Sequence, residues 1–388
     1  MKRIFAIVLA TVVVTSFVGC STGTSDSGKQ PIKIGLTTVL TGDRSLEGQY
    51  ATRGAAIIEK EINDAGGVLG RPIKIVIEDA LGTDVGAVNA YRKLADNKDI
   101  VAIIGSDSSN DNMAVSPDAL KSKILTTAQG SSPKLRDMCN NDNRYLFQIR
   151  ACDETLCASL MGYAVEELKY KKFAIIHDTE TSSADQARLF TEGLSKYGIK
   201  PAVVVSFTTG TKDFTSHLAK VKEAGVDAII GACFQNEAAI LLQQIRSMGM
   251  KDMPVFGSNA FADPVTLKLG GDAVNGVYCA AAWVPTTPDE KGAALAKKYK
   301  EINKEDCGKS AAQIYDHIGI ICEAIKVAGT TDREAVRDAM TKIDNYHGAI
   351  TDYDCRTNGD CGRGGLLVKV ENQVAKVIKP ITSAKVIK

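Results

Sequence analysis

Short runs rich in β-branched residues alternate with amphipathic helical windows along most of this 388-residue chain, and that rhythm constrains its fold more than any other feature. Two parallel strands need a crossover long enough to hold a helix, so a strand, helix, strand order predicts parallel sheets covered by helices. Two such series are legible. The first has strand 32–38, helix 47–65, strand 73–78, helix 84–97, strand 101–104, helix 110–121 and strand 124–127. Ala51, Ala55, Ile58, Ile62 and Ala65 share one face of its opening helix at helical spacing. Gly66 and Gly67 end that helix, because glycine adopts the left-handed turn that helix C-termini favour. The second series begins near Arg150 with helix 154–168, strand 173–177, helix 184–197, strand 202–207, helix 214–224, strand 228–231, helix 237–248 and strands 255–258 and 276–280. Helices 291–303, 311–328 and 333–343 come next and most economically complete the first lobe, before strands 366–370 and 374–379. The predicted fold class is α/β, with two doubly wound parallel-sheet lobes.

The N-terminus sets the compartment. Lys2 and Arg3 precede an apolar run, 4–14, and then Ser16-Phe17-Val18-Gly19-Cys20. A charged start, a short apolar segment and small residues before a cleavage point describe an export signal, and Cys20 at that point predicts lipidation of the mature N-terminus. The run falls short of the roughly 20 apolar residues that a spanning helix needs. Phe17 stands where such signals usually carry Leu, which keeps plain cleavage and release as the alternative. Residues 1–19 are therefore read as a lipoprotein signal and 20–30, rich in Ser, Thr and Gly, as a tether. The mature body of the chain is too long for one typical core and suits two lobes. With 47 basic and 46 acidic residues, the chain lacks the basic surplus of a nucleic-acid binder.

Ten cysteines are present, and reserving Cys20 for lipid leaves an odd nine. In an oxidising compartment Cys355 and Cys361, which flank a turn-like Arg356-Thr357-Asn358-Gly359-Asp360, form the first candidate disulfide, and Cys139 with Cys152 or Cys157 the second. The absence of CxxC and HExxH and the scattering of the four His argue against a metal, and no cofactor is expected. No GxSxG elbow, Walker loop or GxGxxG turn occurs, and acidic pairs such as Asp178 with Glu180 or Glu166 with Glu167 read as solvated carboxylates, so no catalysis is expected.

In open α/β sheets, ligands bind beyond the carboxyl ends of the strands. Strand 101–104 runs into Gly105-Ser106-Asp107-Ser108-Ser109 before a helix, and strand 124–127 into Ala128-Gln129-Gly130-Ser131-Ser132-Pro133. Both offer hydroxyls and free backbone N–H groups at a helix N-terminus, where a ligand carboxylate would be satisfied without an arginine. Helix capping is the competing role for these serines.

Ile32-Lys33-Ile34-Gly35 with Leu40-Thr41-Gly42, Gly54-Ala55, and Glu61 through Gly66-Gly67-Val68-Leu69-Gly70-Arg71-Pro72-Ile73 resemble the periplasmic leucine/isoleucine/valine-binding protein family. Val101 to Gly105, Ser131-Ser132-Pro133, Ala174 to Asp178, Gly210 to Phe214 and Ala311 to Tyr315 extend the resemblance over nearly all of the mature chain. It implies a type I periplasmic binding fold whose lobes, 31–150 with 284–349 and 151–283 with 350–388, are joined by three crossings near Arg150, Trp283 and Ile350. It also implies that Ser109 and Ser131 take the ligand carboxylate and that the backbone carbonyl of Gln129 helps hold an ammonium. Phe234 falls at an aromatic position of the cleft. Asn259 stands where the family's branched-chain binders place an acid, Glu47 where an aromatic is usual, Ser182 where a tyrosine is frequent, and Leu81 and Ser108 where some members carry a cysteine pair.

These departures leave two ligand classes. One is a small amino acid, branched-chain type favoured, whose ammonium meets Glu47, Asp178, Glu180 or backbone carbonyls. The other is an amine-free aromatic or aliphatic carboxylate accepted by Asn259. The implied protein is a monomeric, membrane-anchored, periplasmic or cell-surface binding component that hands a small molecule to an ABC permease; a ligand sensor that docks a signalling partner is the alternative outcome of the same fold.

Overall fold

The computed structural model describes residues 30–42 and 44–381. The leader, Cys20 and nearly all of the tether lie outside the described residues. The first sheet holds β1 (Ile32–Thr38), β2 (Ile73–Asp79), β3 (Ile100–Ile104), β4 (Leu125–Ala128) and β5 (Leu146–Gln148), in the order β2-β1-β3-β4-β5 and parallel throughout. Helices α1 (Ser45–Asp64), α2 (Asp84–Asp96), α3 (Ser109–Ser122) and α4 (Pro133–Asn141) connect its strands. The second half supplies α5 (Asp153–Gly162), β6 (Phe173–Asp178), α6 (Thr181–Ser195), β7 (Val203–Phe207), α7 (Thr215–Glu223) and β8 (Ala228–Ala232). It continues through α8 (Gln235–Ser247), β9 (Val255–Gly257), α9 (Pro264–Gly270) and β10 (Tyr278–Ala281).

Helices α10 (Glu290–Asn303), α11 (Lys309–Ala328) and α12 (Arg333–Met340) come next, then the two-residue strands β11 (Tyr346–His347) and β12 (Asp352–Tyr353) and the longer β13 (Gly365–Glu371) and β14 (Val374–Ile381). As expected, the late helices pack on the first sheet. α11 lies along α1, and its Ile314, Ile318, Ile321 and Ile325 enter the same core as Ile34, Leu36 and Ile104. Each such side chain contributes about 1.5 to 3 kcal/mol on burial. The helices approach so closely that a Cβ on Gly54 would lie 2.3 Å from the Ala311 carbonyl oxygen.

The second sheet has the order β14-β13-β10-β9-β8-β6-β7 and departs from the all-parallel expectation. β13 runs antiparallel to β10, and β14 antiparallel to β13. Asn372 and Gln373 at φ 54° and 58° make the turn, too short for a crossover helix. The elements that escaped the sequence reading are α4, β5, α9 and the two-residue strands β11 and β12. α4 starts at Pro133 behind Ser132, whose side chain accepts from the Lys134 N–H, so a run that looked like loop is a capped helix start. Helix 154–168 is shorter than read: α5 stops at Gly162 and continues as one π turn over Tyr163–Glu167.

The chain passes between the lobes after β5 and after β10. A third passage brings the chain to the second sheet at β13. Ala349, Tyr353, Cys355 and Cys361 belong to the core of the first lobe. Asp316 on α11 fixes this segment by accepting from the Ala349 N–H, the Ile350 N–H and the Tyr353 hydroxyl, while Gln148 and Cys361 are paired through their backbones.

All nine described cysteines are buried, and the structure holds each as a free thiol. Cys355 and Cys361 nevertheless sit side by side, and burial pushes the Cys361 thiol far up. Cys139 packs instead with Leu135 and Leu146.

Candidate functional site

The carboxyl ends of the two sheets face one another across a cleft. In the first lobe, β3 leads through Gly105-Ser106-Asp107-Ser108 into α3. Asn112 holds this loop by donating to the carbonyls of Ser106 at 2.8 Å and Ser108 at 2.6 Å, and Gln129 Nε2 donates to the Gly105 carbonyl at 2.6 Å. The Ser132 N–H donates to Ser109 Oγ at 3.3 Å, which ties the start of α3 to the loop after β4. That approach requires a glycine: a Cβ on Gly130 would stand 2.6 Å from Ser109 Oγ and 2.8 Å from Ser109 Cα.

The second lobe contributes the starts of α6 and α8 and the turn after β9. Asn259 Oδ1 accepts from the Ala282 N–H at 2.8 Å. Because that N–H needs an acceptor, the amide's own N–H donors are the pole left for a ligand. Together the lobes leave a small, polar-lined cavity of about 50 Å³.

Of the sequence-derived positions, Ser109, Ser131, Ser182, Phe234 and Asn259 line this cleft. Ser108, Gln129 and Glu47 do not. Ser108 caps α3 and donates to Glu180 Oε1 at 2.7 Å. The Gln129 carbonyl, expected to face an ammonium, instead accepts from Gln313 Nε2 at 3.4 Å. Glu47 is buried beside Arg44 and Asp107; burial, opposed by Arg44, pushes its carboxyl up to about 8. Asp178 is also enclosed: burial raises it to about 7, and its Oδ1 accepts from the Glu180 N–H at 2.8 Å.

Sequence reasoning gave no ligand role to five charged or amide side chains of the lining, Asp107, Arg150, Gln186, Gln235 and Lys309. Lys309 Nζ meets Asp107 Oδ1 at 2.9 Å; although burial pushes Asp107 up, that lysine holds it below the usual carboxylate range. Lys309 lies two residues before the recognisable Ala311 to Tyr315, and Asp107 sits inside the serine loop, so both were close to legible signals. Nothing local marks Gln235.

The rims touch. Glu180 of the second lobe accepts from Ser108 and, at 2.9 Å, from Asn110 Nδ2. Ser132 Oγ donates to Asp185 Oδ2 at 2.5 Å. The Arg44 guanidinium lies 4.6 Å above the Phe234 ring, a cation–π contact across the mouth. These contacts close the cleft around its polar lining.

The family profile of the periplasmic binding proteins matches residues 31–373, and the chain belongs to that family. Among curated relatives it is 25% identical over 334 residues to the Leu/Ile/Val-binding protein homolog 1 of Brucella abortus, covering 85% of this chain and 87% of that one. It is 26% identical over 313 residues to the leucine-, isoleucine-, valine-, threonine- and alanine-binding protein of Pseudomonas aeruginosa, covering 80% and 82%. A solved leucine-binding protein from Thermotoga maritima superposes with a TM-score of 0.82 at 24% identity, over 90% of this chain and 99% of that one. The fold is therefore the type I periplasmic binding protein fold.

Proposed function

We propose that this protein is the extracytoplasmic substrate-binding lipoprotein of an ABC uptake transporter and encloses a small amino acid, branched-chain type favoured, between its lobes. One observation carries this reading: a cleft between the lobes whose polar lining comes from both of them, with rims already in contact. A ligand that touches both lobes favours the closed state by its differential affinity, and closure gives a membrane permease a shape to recognise. Ser109, Ser182, Phe234 and Asn259 are the contacts assigned to the ligand, with Ser131 behind them. The two lobes are 31–150 with 284–361 and 151–283 with the residues after the third passage. Cys20 is assigned the lipid that holds the monomer near its permease, a role that mass spectrometry of the mature N-terminus tests directly.

The orientation of Asn259 favours a second ligand class, an amine-free carboxylate, because its free N–H groups suit an anion. Calorimetry on Asn259→Asp separates the two. A new carboxylate beside the ligand tightens an ammonium-bearing amino acid and weakens an amine-free acid. A wild-type protein that binds neither class, or that turns over what it binds, defeats the proposal.

A further inference from the structure

We propose that Arg150 is the residue that anchors the ligand's carboxylate, and that it transmits this contact to the hinge. The inference rests on the binding-protein reading above. It applies to both ligand classes, since each carries a carboxylate.

Arg150 lies on the first passage between the lobes and lines both the ligand cleft and a small cavity in the hinge. Its side chain is 7% exposed, and its Nε has no hydrogen-bond partner among the described residues. The hydrogen bond it does make, Nη2 to Asp153 Oδ1, is 3.5 Å long. A guanidinium carries five N–H donors and stays charged, so burial with so few of them used leaves it wanting an anion.

Asp153 does not depend on this arginine. Its Oδ2 accepts from Ser131 Oγ at 2.7 Å and from Gln186 Nε2 at 2.6 Å. The same bond removes Ser131 as a direct donor, because its hydroxyl hydrogen is committed to Asp153 and only its lone pairs face the cleft. Ser109 differs: its oxygen accepts from the Ser132 N–H, which leaves its hydrogen for a ligand oxygen. Lys309 already has Asp107 at 2.9 Å. Arg150 and Ser109 on this side of the cleft, like Asn259 on the other, thus keep donor capacity for a carboxylate, and of these Arg150 alone carries a charge.

The position links binding to motion. A Cβ on Gly362 would lie 3.2 Å from Arg150 Cα and 2.8 Å from the Ala151 nitrogen, so the third passage rests directly on the first at this residue. A carboxylate that seats the guanidinium fixes both passages in the arrangement seen here.

The test uses the full mature protein and calorimetry with a panel of L-amino acids, the amine-free acids 3-methylbutanoate and benzoate, and the primary amide of each amino acid that binds. Arg150→Gln is expected to weaken every acid that binds by about tenfold or more. Arg150→Lys should recover part of that loss, and the unliganded melting temperature should change little. Asp153→Asn, which releases Arg150 from its weak partner, should bind acids more tightly and keeps the test open if Arg150→Gln does not fold. Amides should bind wild type poorly and be indifferent to Arg150→Gln. Undiminished acid binding by Arg150→Gln, weaker acid binding by Asp153→Asn, or amide affinity equal to that of the acid overturns the anchor and leaves the binding-protein assignment intact. Failure of every acid to bind wild type overturns both.

Discussion

Replacing Glu180 by Ala tests whether the contact between the rims sets how strongly this protein holds its ligand. The Glu180 carboxylate accepts from Ser108 Oγ at 2.7 Å and Asn110 Nδ2 at 2.9 Å, both on the opposite lobe, so these bonds exist only while the cleft is shut. The side chain makes no cap bond to α6, and the backbone N–H that Asp178 accepts is kept in the variant. Charge-assisted hydrogen bonds contribute about 1.5 to 3 kcal/mol each when fully buried. Glu180 is half-buried at a wet rim, and that exposure reduces the pair to about 1 to 2 kcal/mol in total. Lost from the closed state alone, this raises the apparent dissociation constant about five- to thirtyfold by lowering the population competent to hold ligand. Calorimetry on the tightest-binding amino acid or carboxylate measures the first effect, and small-angle scattering of the unliganded protein, which should become more extended, the second. Glu180→Gln, which keeps an acceptor without the charge, should fall between. Unchanged affinity together with unchanged compactness refutes the idea that these two bonds bias closure.

Buried groups give three further expected outcomes. Asp178 has a folded-state value of about 7, raised by burial and by the neighbouring Glu237 and Glu180. The folded protein therefore keeps a proton that the unfolded chain loses near pH 4, so this group's stability contribution is present at low pH and is lost as pH rises through about 7. Asp178→Asn should be more stable than wild type by about 2 to 4 kcal/mol at pH 8 and little different at pH 4; parallel urea midpoints across that range would refute the assignment. Gly130→Ala places a methyl against Ser109 and should cost about 1 to 3 kcal/mol while weakening ligand binding, read by thermal melts with and without ligand. Cys355 and Cys361 are adjacent buried thiols, and in an exported sample peptide mapping without reduction should find them joined, whereas two alkylatable thiols would place the loop 356–360 outside disulfide control.

Much of the fold was legible because its signals are local. The apolar faces of the helices, the β-branched strands and the glycine stop after α1 each act within a few residues, and together they forecast two parallel-type lobes with the late helices returning to the first. The misreadings lie where a distant partner decides. β13 and β14 look like any strand pair, and their antiparallel direction depends on the tight turn at Asn372 and Gln373 and on which edge of the second sheet stood open. No local signal marks the tie by which Asp316, far away in sequence, accepts from the Ala349 and Ile350 N–H groups and the Tyr353 hydroxyl. The serine loops were correctly drawn to the carboxyl ends of the strands, yet the chain alone could not tell which hydroxyl was already spent. Ser108 is consumed by Glu180 and Ser131 by Asp153, while Ser109 keeps a free donor.

Periodicity and turn residues operate over one or two turns of chain, and they were enough to make this a two-lobed α/β protein with its binding chemistry at the strand ends. The nature of that chemistry was settled by folding. Folding spent the Asn259 oxygen on the Ala282 N–H, paired Lys309 with Asp107, pressed the third passage onto the first, and left Arg150 buried with an unpartnered nitrogen. A side chain's spare hydrogen-bonding capacity depends on every neighbour it meets, and those neighbours come from parts of the chain that lie far apart in sequence.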